Sequence, residues 1–357
     1  NRQGFYMDFE KIIESVYLLL TGKTPELDIS SLLYTHRCYD LVRQMPNGTY
    51  YEKACLLLRL NKVSIRERIQ ACRVIFEQED IPYVAMKGPI LSVSAYGDPY
   101  LRQSGDIDVL IAPQDVTAFS RQMKKAGFIQ GKIKNQTIQP VSREEHIFHS
   151  TYSHQVVPFI KKTGNVALTH VNVDVNTNLY WGESECSLNM EQFLFHRIPI
   201  EIDGVTLYKL EPISEFIALC LHHYKDMNSL YLLSQGSLRL RLFVDIYRYI
   251  LRQREVLPTI QLRQTAEEWG ALPYIYYCLF QTAALFPEKV VLDYRDAMQN
   301  EKGQNLLNVC GLTQEEQKKW LMPLTARLFS PDFKTQFALM LNEKDKDKIA
   351  LNVQMMQ

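Results

Sequence analysis

The first long pattern in the chain is FEKIIESVYLLL, Phe9 to Leu20, whose apolar residues recur at the three- and four-residue spacing of an amphipathic helix. VSIRERIQACRVIFEQED, Val63 to Asp80, repeats that spacing, with Ser64 expected as its N-terminal cap. The period then shortens. IPYVAM (81–86) and GDIDVLIA (105–112) are β-type runs. VTAFSRQMKKAGF (116–128) returns to helical spacing and stops at Gly127, a residue suited to a helix C-terminus. QVVPFIKKTGNVALTHVNVDVN (155–176) predicts a hairpin that turns at KKTGN. From ISEFIALCLHHYKDM (213–227) onward the pattern is almost wholly helical, punctuated by Pro258, Pro287 and Pro331. The expected fold class is α+β: a helical N-terminal region over 1–80, a core built on a small mixed sheet over 81–205, and a helical C-terminal domain over 206–357. No G-x-G-x-x-G loop is present, which argues against a dinucleotide-binding parallel sheet.

The 357 residues carry 40 acidic and 40 basic side chains. A net charge near zero argues against broad binding to nucleic acid, which needs a basic field. No apolar run is long enough to span a membrane and no signal-peptide pattern is visible, so a cytoplasmic location is expected. Met7 reads as a native start, and the six residues before it, NRQGFY, are expected to be foreign to the natural chain. The seven cysteines are widely spaced without C-x-x-C, which suggests buried thiols in a reducing compartment. His146, His149 and His154 lie close together but lack the companions of a metal site and are not read as ligands.

Candidate chemistry enters at GDIDVLI. On a strand, Asp106 and Asp108 share one face while Ile107 and Val109 share the other. Two carboxylates that close repel each other, and burying them unpaired is costly. A divalent cation would relieve that cost, and magnesium on such a pair keeps room for substrate phosphates. The plain alternative is an exposed edge strand with two solvated aspartates. The apolar residues on both registers favour a central strand instead. Lys87-Gly88 stands where the first β run should turn into a helix, a place that favours anions, and Arg102 lies in the loop leading to the aspartates.

IPYVAMKG…LSVSAYGDPYLRQSGDIDVLI resembles the bacterial "uncharacterised nucleotidyltransferase" family of the DNA polymerase beta-like superfamily. The resemblance rests on Ile81-Pro82, Lys87-Gly88, Tyr96, Arg102 and Asp106-Ile107-Asp108-Val109-Leu110. It extends through FIALCLHHYKD and LRLRLFVDIYRYI, and covers most of the chain from Tyr51 to Phe286. It implies a nucleotidyltransferase core, a third carboxylate supplied by Asp174 of VNVDVNTNLYW, and one or two magnesium ions (manganese as an alternative) on Asp106, Asp108 and Asp174. It also implies phosphate contacts from Lys87, Gly88, Ser92 and Arg102, an NTP such as ATP as donor, and an acceptor that is a small molecule, a peptide or protein, or an RNA end. Two departures stand out. Gly88 is followed by Pro89 where the superfamily has serine, so Ser92 or Ser94 is left to compensate, and Asn176 replaces the histidine after the third acid. These departures bear on nucleotide affinity more than on metal binding. The alternative reading is a catalytically inactive nucleotide-binding or regulatory protein with the same fold.

Three other features are read as structural. His222-His223 lie on an apolar helical pattern and are expected to pack between helices. Asp245, in RLFVDIYRYI, is expected to cap a helix or to pair with an arginine such as Arg239 or Arg241. YIYYCLF is expected in the core.

Overall fold

The computed structural model describes residues 8–356 except 79, 153, 183, 185 and 187. The leader NRQGFY and Met7 lie outside the described residues. The strands are β1 (Tyr83–Met86), β2 (Ile107–Ile111), β3 (Ile129–Gln130), β4 (Lys132–Lys134), β5 (Thr137–Gln139), β6 (Phe159–Asn165), β7 (Leu168–Asn176), β8 (Ile198–Ile202), β9 (Val205–Lys209), β10 (Val309–Cys310) and β11 (Lys318–Lys319). Five of them form one sheet in the order β1-β2-β7-β6-β3. β2 and β7 run parallel, and the other neighbours are antiparallel. The sheet is therefore mixed and small, and helices lie on both sides of it in sequence, as the hydrophobic pattern predicts for an α+β fold.

Strand alternation sorts the side chains as expected. Ile107, Val109, Val173 and Val175 join one buried cluster with Ile65, Ile69, Phe119 and Met123 from the helices Tyr51–Ala71 and Val116–Lys125. Val84 and Leu110, on the opposite face, pack against Phe193 and Leu194 of the helix Met190–Phe195. The face that carries the aspartates is thus also covered, so β2 is buried along its whole length.

A larger helical core joins the N-terminal helices to the C-terminal ones. Val16, Leu33, Leu41, Phe216, Phe243, Ile246 and Leu279 belong to a single cluster. The helix Tyr51–Ala71 spans both cores, with Ala54 and Leu58 in the helical cluster and Ile65 and Ile69 against the sheet. YIYYCLF is core, as expected: Ile275, Tyr277 and Leu279 are fully buried. Among the described residues no helix is long and apolar enough to cross a membrane.

Local expectations need three corrections. Ser64 does not cap a helix, because the preceding YEKACLLLRLNK is itself helical and places Ser64 in mid-helix. The β6–β7 hairpin does not turn at KKTGN. β6 runs through Asn165, with an irregularity of register between Lys162 and Asn165, and the reversal falls at Val166-Ala167. A β-bulge absorbs the glycine inside the strand, so it does not mark the turn. The hairpin β8–β9 lies outside the elements read above, although its turn, Asp203-Gly204 with φ of 53° and 71°, has the residue types that a two-residue hairpin loop favours.

Asp245 ties the two cores together. Its carboxylate accepts from Arg102 Nε at 3.0 Å, from the Tyr96 hydroxyl at 2.7 Å, and makes a 3.1 Å contact with His223 Nε2. The partner is Arg102, not Arg239 or Arg241, because the 98–106 loop folds back onto the helix Leu240–Gln253 and delivers Arg102 first. Arg241 instead donates to the Gln103 carbonyl. Arg248 pairs with Asp40 at 2.6 Å and lies over the Tyr96 ring, which extends the network to the helix Tyr39–Val42. His223 acts as the helix–helix contact expected of it. Burial opposes the charge of Asp245, but Arg102 and then His223 overcome it and hold the carboxyl well below the ordinary carboxylate range. A carboxyl with a depressed pKa contributes stability above the ordinary carboxylate range and loses it as pH falls. Asp245→Asn leaves the Arg102 guanidinium buried and unpaired. It should lower stability by about 3–5 kcal/mol at neutral pH, read as a lower urea midpoint, with a smaller loss on acidification than the parent shows.

Candidate active site

β1 ends at Met86, and the chain then makes a strained turn. Lys87 has φ of 52° and Gly88 has φ of 39°. A Cβ on Gly88 would lie 3.0 Å from Ser104 Oγ, so glycine suits both the conformation and the close approach of the 98–106 loop. The backbone of Lys87 is unusual for a residue with a Cβ, and such strain gathers at sites the surrounding fold over-determines. Its ammonium reaches across to Asp108 Oδ1 at 2.6 Å. Past Gly88 the chain makes a short helical stretch, Gly88–Leu91, continued as a wider turn over Ser92–Tyr96.

The loop that returns to β2 is held from below by the helix Tyr51–Ala71. Asn61 Nδ2 donates to the carbonyls of Tyr100 and Arg102, and Asn61 Oδ1 accepts from the Ser104 amide. Arg68 donates to the Ser104 carbonyl at 2.9 Å. Both helix residues are buried, and sequence reading passed over them. Polar residues on the inner face of an otherwise amphipathic helix were the available signal.

β2 and β7 pair in parallel with Asp108 directly opposite Asp174. Side chains directly opposite each other on adjacent strands lie on one face, with backbones about 4.8 Å apart. Asp106 stands two residues before Asp108, just outside the strand. Burial first, then the charges of Asp106 and Asp108, push Asp174 up to about 8. Asp108 is also raised: burial and Asp106 outweigh the opposing ammonium of Lys87. Among the described residues Asp174 forms no ion pair, and no three His, Cys, Asp or Glu side chains are already arranged around a single metal position. The donor chemistry nevertheless suits a hard divalent cation. All the donors are carboxylate oxygens, and the Lys87 ammonium pairs with Asp108 alone.

The helix Pro212–Asn228 faces this cluster with Lys225, which sequence reading missed, and with His222, which was expected to pack between helices and instead borders the cavity beside the acids. Lys225 is close enough to feel the charges of Asp108 and Asp174, although burial and Lys87 together lower its pKa. His222 is kept neutral, foremost by burial and then by Lys87 and Lys225, and it makes a 3.4 Å contact with Asp226. The signal was spacing: His222, Lys225 and Asp226 stand at i, i+3 and i+4, a polar stripe on an apolar helix. A cavity of about 370 Å³ opens beside the acids, where Asp106 and Asp108 face Lys87, Arg37 and Arg241.

Two of the expected phosphate ligands are used otherwise. Ser92 is fully buried; its hydroxyl donates to the Asp98 carbonyl at 2.6 Å and accepts from the Arg102 amide. Ser94 donates to Glu215, so neither serine is placed to compensate for Pro89. Arg102 borders the cavity, but its Nε is committed to Asp245 and its side chain is buried. Lys87 and Gly88 do lie at the cavity, as expected.

A family model described as "Uncharacterised nucleotidyltransferase" matches residues 26–287, and the chain belongs to that family. No curated protein and no solved structure matches the chain.

The unequal pairing of the acids has a measurable consequence. A carboxyl whose pKa is raised on folding destabilises the fold increasingly as pH rises from the ordinary carboxylate range through its folded value. Asp174→Asn removes that penalty and should raise the melting temperature by several degrees at pH 9 in EDTA. Lys87→Met, which strips Asp108 of its counter-ion, should lower it under the same conditions.

Proposed function

We propose that the chain transfers a nucleoside monophosphate from an NTP to an acceptor hydroxyl and releases pyrophosphate. The observation that carries this reading is the parallel register that sets Asp108 opposite Asp174, with Asp106 two residues upstream, in a chain of a nucleotidyltransferase family. Asp106, Asp108 and Asp174 would hold magnesium, with manganese as an alternative. When bound there, the metal supplies positive charge at the phosphates and acidifies the attacking hydroxyl.

The protein's own groups account for the rest. Lys87, Arg241 and Arg37 line the cavity beside the acids and suit the non-reacting phosphates, with Arg241 taking the place that the motifs gave to Arg102. Gly88 lets the backbone approach those phosphates closely. Arg102 acts one step removed: its pairing with Asp245, together with Asn61 and Arg68, fixes the loop that presents Asp106. Asp174 stands nearest to a role as proton acceptor. As the acceptor oxygen bonds to the α-phosphorus, the bond from that phosphorus to its bridging oxygen breaks. Pyrophosphate leaves with the electron pair, and the hydroxyl proton passes to a carboxylate.

One observation favours a second reading, a nucleotide-binding protein without transfer activity. Lys87 occupies Asp108 Oδ1 at 2.6 Å, and Pro89 stands where a phosphate-binding serine is common in the superfamily. Calorimetric titration of the full chain with magnesium and each of four nucleotides, followed by transfer of radiolabel from the nucleotide that binds to components of a cell extract, separates the two. Under the transfer reading Asp106→Asn and Asp108→Asn should cut labelling by roughly two or more orders of magnitude, and Arg241→Ala should act mainly on nucleotide affinity. Magnesium-dependent nucleotide binding that is equal in the parent and the asparagine variants would rule out the aspartates as metal ligands.

A further inference from the structure

Residues 309–356 lie beyond the family match, yet they form one wall of a second cavity, of about 340 Å³, to which Lys225 of the helix facing the acids also contributes. Leu312, Ile349, Leu351 and Asn352 come from this segment; Trp181, Leu230 and Leu232 face them. Lys225 lines this cavity and also a narrower one that runs along Lys87, His222 and Asn176. Gln155, a further wall residue, donates to Asn176 Oδ1 at 2.9 Å, and Asn176 ends the strand that carries Asp174. The chamber thus adjoins that narrower cavity at Lys225, and the narrower cavity shares Lys87 and His222 with the one that Asp106 and Asp108 line.

The walls restrict what can enter. Glu316 is paired with Lys348 at 2.7 Å, and Asp345 with Lys318 at 3.1 Å, so these charges cancel within the protein. Lys225 forms no ion pair among the described residues, and it stands where the chamber meets the cavity that Lys87 and His222 line. Leucine, isoleucine and indole surfaces make up much of the remainder. The volume falls in the ordinary range of small-ligand pockets, about 300–1,000 Å³, and is small for an RNA end or a folded protein segment. The wall is also firmly built. Asn342 and Asp345 exchange side-chain-to-amide bonds of 2.9 Å at the start of the helix Glu343–Met356, and Lys132 donates to the Met355 carbonyl at 2.6 Å near its end.

We infer that this chamber receives the acceptor, a small, uncharged, partly apolar alcohol whose hydroxyl points past Lys225 toward Asp108 and Asp174, and that the segment 309–356 sets its specificity. The inference rests on the transfer reading for the word acceptor, but its binding site can be tested separately. Benzyl alcohol and cyclohexanol serve as probes, titrated by ligand-observed NMR into the full chain, with magnesium–ATP titrated by calorimetry in a parallel arm. Asn352→Trp fills the chamber from the C-terminal helix, and Leu312→Trp fills it from the bend in the same wall should the first variant not fold. The expected result is binding of at least one alcohol to the parent, weakened about tenfold or more by the filling variant, with magnesium–ATP binding retained. Equal alcohol binding by parent and filled variants overturns the inference, as does the absence of binding by either probe. Loss of magnesium–ATP binding on filling also overturns it, by assigning the chamber to the nucleotide. If the alcohol contrast holds while the parent binds no magnesium–nucleotide with any of the four bases, the chamber stands as a small-alcohol site and the transfer reading falls.

Discussion

Two carboxylates side by side on neighbouring parallel strands repel each other, and much of the structure around them answers that repulsion. The strands cannot separate, because Ile107, Val109, Val173 and Val175 on their other face are locked into a buried cluster. Nor can the side chains swing to the opposite face, since a one-residue slip would drive those same apolar groups out of the core. The charge has to be met in place. Lys87 meets part of it from a strained backbone, and Lys225 adds positive potential from the helix opposite. One strand pairing therefore fixes the position of the acids and the cationic character of the walls that surround them.

The loop before β2 has a different problem: it must be rigid without strand partners. Its solution is a set of buried polar anchors. Asn61 and Arg68 hold its carbonyls and an amide from the sheet side, and Asp245 holds Arg102 from the helical side. A buried ion pair is weak evidence for net stability, since removing two charges from water costs nearly what their attraction returns. What this pair does supply is geometry. Arg102 cannot leave Asp245 without stranding a buried charge, so the loop that ends at Asp106 has one favoured path. The same carboxylate receives Tyr96 and His223, which couples the short helix after Gly88, the two long C-terminal helices and the loop through a single acceptor.

How far the chain could be read in advance follows from which signals are periodic. Strand alternation placed Asp108 opposite Ile107 and Val109, because a buried strand repeats every two residues whatever lies around it, whereas Asp106 stands just outside the strand. Helix Phe9–Leu20 was legible for the same reason. The expected strand-to-helix turn picked out Lys87 and Gly88, and the family resemblance picked out Asp174, but neither could say what each polar group touches. Arg102 looked like a phosphate ligand because its partner, Asp245, is 143 residues away. Ser92 looked available because its acceptor, a backbone carbonyl, leaves no mark in sequence. Lys225 escaped, and His222 reads as a packing residue, because their helix is mostly apolar and the residues they face come from the sheet. The Asp203-Gly204 hairpin was within reach and was passed over, as two short alternating runs separated by a favoured turn.

Lys87 remains the residue on which the chemistry of the acids turns. A carboxylate has two oxygens and accepts from several directions, so the ammonium on Asp108 Oδ1 leaves Oδ2 for another cation. Lysine is a flexible point charge with three donors, and it can exchange a carboxylate for a phosphate oxygen at little geometric cost. Before an anionic ligand arrives, the ammonium screens part of the repulsion on the sheet face. Under the proposed transfer, triphosphate and dications would draw the negative charge farther out in the cavity, and the same side chain could follow it. A fixed guanidinium like that of Arg102 could not, since its partner is buried and unique. Burial adds to that contrast between the cation at the end of β1 and the one in the loop: the Lys87 side chain keeps 21% of its surface exposed and that of Arg102 keeps 7%.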